Sequence, residues 1–234
     1  GALTLDDGIG LGEVRVGGTL AVTNDGTALA VGWLSGSGTF DASGCGALTV
    51  EAIQITNLTL TVQAGTNPVA VGALDSNIGT VVFQTTDTVE ITALTGSGIV
   101  RFDAVASATI GDVSDFDGTL YLNNCGPVEI LGPTGDKVWN GITLVGNAQL
   151  TVPGANLTVG RLYGRGTLTV TNALTVTSLS MSGDLTVNDA GTEPWILTDI
   201  TGPGTLTLNR PYYAPVINLS GSQVVTLGLS NRVE

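Results

Sequence analysis

The sequence predicts an all-β chain, a single parallel β-helix of about eleven to twelve coils of about 17–21 residues each, and three observations predict it. The first is composition: 34 glycines among 234 residues, only 12% charged residues, abundant Thr, Val and Leu, and no run with helical periodicity. Such a chain suits strands punctuated by turns. The second is a recurring template, clearest from Gly164 to Leu179 as GRGTLTVTNALTVTSL. It holds Gly166-Thr167, the alternating pair Leu168 and Val170, a polar turn at Thr171-Asn172, a second pair Leu174 and Val176, and then Leu179. The third is that this spacing returns from one end of the chain to the other. Residues 1–234 therefore read as one solenoid domain, because a coil this short buries its apolar residues only by stacking on its neighbours.

Taken in order, coil starts fall near residues 1, 18, 38, 58, 79, 98, 118, 148, 166, 183, 204 and 223, with glycine at most of them. An alternating apolar pair follows each start: Leu3/Leu5, Leu20/Val22, Phe40/Ala42, Leu60/Val62, Val81/Phe83, Val100/Phe102, Leu120/Leu122, Leu150/Val152, Leu168/Val170, Leu185/Val187 and Leu206/Leu208. Period-two spacing puts both members of a pair on one strand face, toward a shared interior. A second set follows with one extra residue in its last step, which marks a corner: Ile9-Leu11-Val14, Leu29-Val31-Leu34, Val69-Val71-Leu74, Val89-Ile91-Leu94, Leu157-Val159-Leu162 and Trp195-Leu197-Ile200. A β-sandwich of hairpins would require Asn-Gly or Asp-Gly turns between strands, and the once-per-coil Gly-Thr does not need them.

One coil is long, since thirty residues separate Gly118 from Ala148. The excess, residues 131–146, reads as an insertion: a loop folded over the side of the solenoid or, more sharply, a protrusion offering the chain's only lysine, Lys137, and Trp139 to a partner. Insertions in repeat proteins collect on interaction faces.

Twenty acidic residues against seven basic ones give a formal charge of −13, which opposes binding to nucleic acid or to an anionic membrane surface. No apolar run is long enough for a membrane helix. With no histidine, the usual neutral-pH general base, the Ser-His-Asp triad and most zinc sites are removed. The outward positions in the middle of the first strands read Thr4, Ala21, Asp41, Thr61, Val82, Arg101, Tyr121, Thr151, Thr169, Thr186 and Thr207. Asp41 and Arg101 lie three coils apart, roughly 14 Å at the strand spacing, and no catalytic pair forms, so no enzymatic activity is expected.

No cofactor is expected beyond one weak Ca²⁺ candidate at GDVSDFDG, where Asp112, Asp115 and Asp117 offer oxygen ligands around a glycine turn. The alternative is a solvated turn in which the aspartates bond their own backbone. The pairs Thr59/Thr61, Thr167/Thr169 and Thr205/Thr207 resemble the threonine face of ice-binding solenoids, though Asp41, Val82, Arg101 and Tyr121 interrupt it. Cys45 and Cys125 each fall seven residues after a coil's glycine. They share a corner four coils apart, roughly 19 Å, beyond the reach of a disulfide.

The GxGTLTV-turn pattern resembles bacterial secreted β-solenoid proteins, such as autotransporter passenger regions and strand repeats of large surface adhesins. That resemblance implies an extracellular or cell-surface location and a structural or adhesive role. The repeat is in phase at Leu3 and Leu5 and closes on a partial coil at Val225, Leu227 and Leu229. Uncapped ends of this kind predict head-to-tail stacking of copies into a filament. The runner-up is an adhesive, carbohydrate-binding module that uses Trp33, Trp139, Tyr212 and Tyr213 as stacking residues.

Overall fold

The computed structural model describes residues 1–4, 10–23, 26–131, 135–189, 196–197, 200–210, 216–217 and 224–229, with side chains for 1–4, 10–23, 26–131, 135–188 and 200–209. Over these residues the chain is a parallel β-solenoid with no helix. The first ladder stacks Ala2–Thr4 on residues 21–23, then on the second half of Leu29–Gly44, Thr59–Gly65, Thr80–Thr85, Ile99–Asp103 and Thr119–Asn123, every step parallel. The second ladder runs from Leu11 through Leu48–Gln54, Val69–Asp75, Thr88–Thr95 and Ser107–Asp112 to Pro127–Ile130. Its pairing skips one residue per turn, as between Val71 and Ala73. That is the extra residue of the sequence pattern, and it bends the strand.

Burial follows the alternation. Both members of every apolar pair from Phe40/Ala42 to Leu206/Leu208 are 2% exposed or less. The inward column Phe40, Val62, Phe83, Phe102, Leu122, Leu144 runs along the axis in register. Phe83 and Phe102 stack at 5.6 Å between ring centroids. At the bends, Gly38 and Gly164 have φ of +106° and +122°, and a Cβ at either would overlap the carbonyl of Gly18 or Leu144 in the turn beneath. Only glycine combines that conformation with so close an approach.

The expected insertion at 131–146 is corrected. Lys137–Val145 is a strand of the solenoid itself, pairing with Thr119–Asn123 on one side and with Leu157–Gly164 on the other. Lys137, Trp139 and Ile142 occupy the same positions as Leu157, Val159 and Leu162, so the segment carries the second sequence pattern with a lysine in its first apolar place. Beyond it the two patterns have moved round the coil by one face. Leu150 now stacks on Val128 of the second ladder, and Ile142 stacks on Leu120 of the first. A third ladder opens at Lys137–Trp139 and continues through Leu157–Val159 and Leu174–Val176.

The thirty residues between Gly118 and Ala148 thus contain one turn plus a step of face. Following the second ladder from Leu11 to Asp189 gives about nine turns, fewer than the expected eleven to twelve. The expectation counted every glycine start, including terminal ones where only backbone pairings such as Leu206↔Val225 are described, and it counted starts on different faces as one series.

Leu168 lies between Leu150 and Val187 and is fully buried. Leu168→Asp places an unpaired carboxylate between two turns, costing about 4 kcal/mol or more. The thermal midpoint is expected to fall by about 10 °C, while Leu168→Met stays close to the parent; differential scanning calorimetry checks this.

Candidate functional site

The outer face of the first ladder carries a row of polar side chains bonded to one another from turn to turn. Alternation sends Asp41, Gln63, Gln84, Asp103 and Asn123 outward in one row, turn upon turn. Like groups meet at the strand spacing and bond along the axis. Gln63 Nε2 donates to Gln84 Oε1 at 2.7 Å, Gln84 Nε2 to Asp103 Oδ2 at 3.5 Å, and Asn123 Nδ2 to Asp103 Oδ1 at 2.9 Å. In the adjacent row Arg101 Nε donates to Asp103 Oδ1 at 2.7 Å, and its guanidinium lies 4.7 Å from the centre of the Tyr121 ring. Thr143 follows Tyr121 in that row, and then Tyr163, which is 39% exposed.

Burial raises the pKa of Asp103, but hydrogen bonds from Arg101, Asn123 and Gln84, with the Arg101 charge, outweigh it and hold the carboxyl below its ordinary value. The same pair raises the pKa of Arg101, chiefly through the hydrogen bond to Asp103. The Asp103 side chain is 16% exposed and that of Arg101 36%, so the pair is partly screened by solvent. Beside it, Gly65, Gln84, Thr85, Thr86, Asp103 and Ala104 line a notch at the corner where the first ladder ends. The arrangement holds planar donors and acceptors rigidly at one face, and it offers no convergent acid and base.

The structure disperses most of the sequence candidates. Asp112 Oδ1 accepts the Ser114 amide at 2.8 Å and the Ser114 hydroxyl at 2.5 Å, and these bonds lower its pKa. Asp112, Asp115 and Asp117 are exposed, and among the described residues no group of three or more His, Cys, Asp or Glu is close enough to hold a metal ion. The reading of a solvated, self-bonded turn holds for Asp112.

Lys137 and Trp139 do not protrude. They are 6% and 1% exposed, with Trp139 edge-on to Phe116 at 5.8 Å and its indole N–H buried without an acceptor in the protein. Their role is to fill the interior where the third ladder begins. Val138, between them, is the exposed residue at 64%. The threonine pairs do not share a face, since Thr59/Thr61 stack on the first ladder and Thr167/Thr169 and Thr205/Thr207 on the second. Leu3 is 37% exposed and pairs with Val22. Leu5, Tyr212 and Tyr213 lie outside the described residues, and Val225, Leu227 and Leu229 are described as backbone in a strand paired with Thr205–Arg210. Trp33 is 41% exposed beside a shallow groove over Ala52, Ala73 and Ala93.

The cysteines sit as expected, buried on one corner and four turns apart, with no bond between them. Each thiol donates to a carbonyl of the turn beneath, Cys45 to Val22 at 3.3 Å and Cys125 to Phe102 at 3.0 Å. Thr85 does the same between them, bonding Gly65 and Asn67. At these turns the corner takes a small side chain whose donor reaches a carbonyl of the turn beneath. Burial raises the Cys125 pKa.

The polar row itself was not recognised from sequence. The signal was present as Gln63, Gln84, Asp103 and Asn123, which follow the outward residues Thr61, Val82, Arg101 and Tyr121 by two positions, and a two-residue slip, Gly38 opposite Leu60, moves Asp41 into their row.

Fold and face together define a parallel β-solenoid bearing a side-chain ladder. No protein family matches the chain, and no curated protein or solved structure does.

A carboxyl whose folded pKa is depressed stabilises the fold above its unfolded pKa, and that stability is lost as pH falls through the folded value. Asp103 therefore contributes fully above about pH 4 and less below it, so Asp103→Asn is expected to lose less stability on acidification than the parent in denaturant titrations at stepped pH. The thiols give a second expectation. Native protein reacts slowly with a thiol reagent and denatured protein releases two equivalents, and reduced and unreduced chains co-migrate on a denaturing gel.

Proposed function

We propose that this chain is a rigid structural module of an elongated extracellular bacterial assembly, a filament, appendage or surface layer in which solenoids stack along their common axis. The observation that carries the reading is the continuous parallel stacking of turn upon turn. From turn to turn the same inward columns and the same parallel hydrogen bonding recur, so a strand ladder offers a neighbouring solenoid the geometry its own turns use. Packing and hydrogen bonding run along the axis, which makes the axis the stiff direction. The resemblance to secreted solenoid repeats supports the location, and the charge of −13 suits a soluble, mutually repelling lateral surface. In this reading the chain is not an enzyme, its partners are copies of itself or adjoining repeats, and no metal is needed.

Negative-stain imaging and sedimentation velocity over a concentration series test it. Unbranched rods of constant width that lengthen with concentration are expected. A monodisperse monomer at every concentration would overturn axial assembly.

A further inference from the structure

We propose that the outer face of the first ladder binds a neutral glycan, a property separate from axial stacking. The notch between Gln84 and Asp103 seats one sugar unit, and the side chains of Tyr121 and Tyr163 in the adjacent row contact units farther along the axis. Four observations meet here. The amide of Gln84 and the carboxylate of Asp103 are planar groups fixed side by side by Gln63, Asn123 and Arg101, the arrangement that bonds neighbouring hydroxyls of a sugar ring. Both line a notch floored by Gly65 and Ala104, where the apolar face of a ring finds contact without losing hydrogen bonds. Tyr121 and Tyr163 stand two turns apart in one row, roughly 9.5 Å at the strand spacing, with Thr143 between them as a further hydroxyl. The residues are already bonded to one another on a rigid ladder, so little ordering entropy is lost on binding.

The same face disfavours the other occupants. A charge of −13 and the Asp103 carboxylate repel phosphates and uronates, and Arg101, the basic group of the site, is already engaged by Asp103. The row is polar throughout, from Asp41 to Asn123, and lacks the apolar centre of a stable protein interface. The groove on the second ladder sets one aromatic, Trp33, over three alanines, and its planar groups are a single exposed pair, Gln54 donating to Asp75 at 3.3 Å, without a row of bonded neighbours or a second ring along the axis.

Isothermal titration with neutral hexasaccharides of glucose and of mannose, and with an oligogalacturonate of the same length, tests the assignment. Saturable binding of at least one neutral oligosaccharide is expected, weakened about tenfold or more by Tyr121→Ala and measurably by the exposed substitution Tyr163→Ala. The Trp33→Ala variant should bind as the parent does. Circular dichroism and thermal midpoints confirm that the variants are folded, and Tyr163→Ala keeps the test open should Tyr121→Ala unfold. No saturable binding of any neutral probe, binding of the oligogalacturonate alone, or neutral-sugar binding unaffected by the folded tyrosine variants would each overturn it.

Discussion

The constraint on which the structure depends is the stacking of inward aliphatic columns at the spacing of one strand. A single turn of about twenty residues cannot bury its own apolar side chains, so each turn is stable only as the floor of the next. Columns such as Phe40 to Leu144 supply the contact continuously, at about 1.5–3 kcal/mol per large apolar side chain removed from water. The corners follow from the same spacing. Where the backbone of one turn passes closest to the carbonyls of the turn beneath, a Cβ does not fit, and glycine stands at Gly38 and Gly164.

Stacking in register acts on the outside as well as the inside. The spacing that lays Phe83 on Phe102 also lays Gln63 on Gln84 and Asn188 on Asn209. Amides repeat well along such a row because each donates to the next and accepts from the one before. Asp103 interrupts the row with a charge, and three donors gather on it. A partly buried charge is tolerated where it is bonded on all sides, and the result is a fixed polar surface on a scaffold with little freedom to move.

The passage from two ladders to three shows how a repeat protein changes its cross-section without breaking its core. At Lys137 the chain substitutes an amphipathic side chain for an aliphatic one. Lys137 stands in register with Leu157 and is only 6% exposed, and the long methylene stem of a lysine can cover apolar surface where an aliphatic residue otherwise recurs. Trp139 fills the larger space beside Phe116 at the expense of an unbonded indole N–H, a cost of about 1–3 kcal/mol set against a large buried ring. The polar face of the first ladder and the threonines of the later turns consequently lie on different sides of the solenoid.

The sequence by itself determined the strand class, the alternation of buried and exposed residues, the glycine corners and the separation of Cys45 from Cys125. All of these are local: period-two spacing and a need for positive φ are properties of a few consecutive residues. Tertiary structure alone decided which strand lies on which. A slip of two residues leaves the inward and outward pattern intact, so nothing local distinguishes Phe40 over Leu60 from Phe40 over Val62, yet only the latter brings Asp41 into the row of Gln63 and Asp103. The step of face after Gly118 was hidden for a related reason. Lys137 stands where the pattern has an apolar residue, and only the neighbouring turns, by covering it, show that the segment is a strand of the coil.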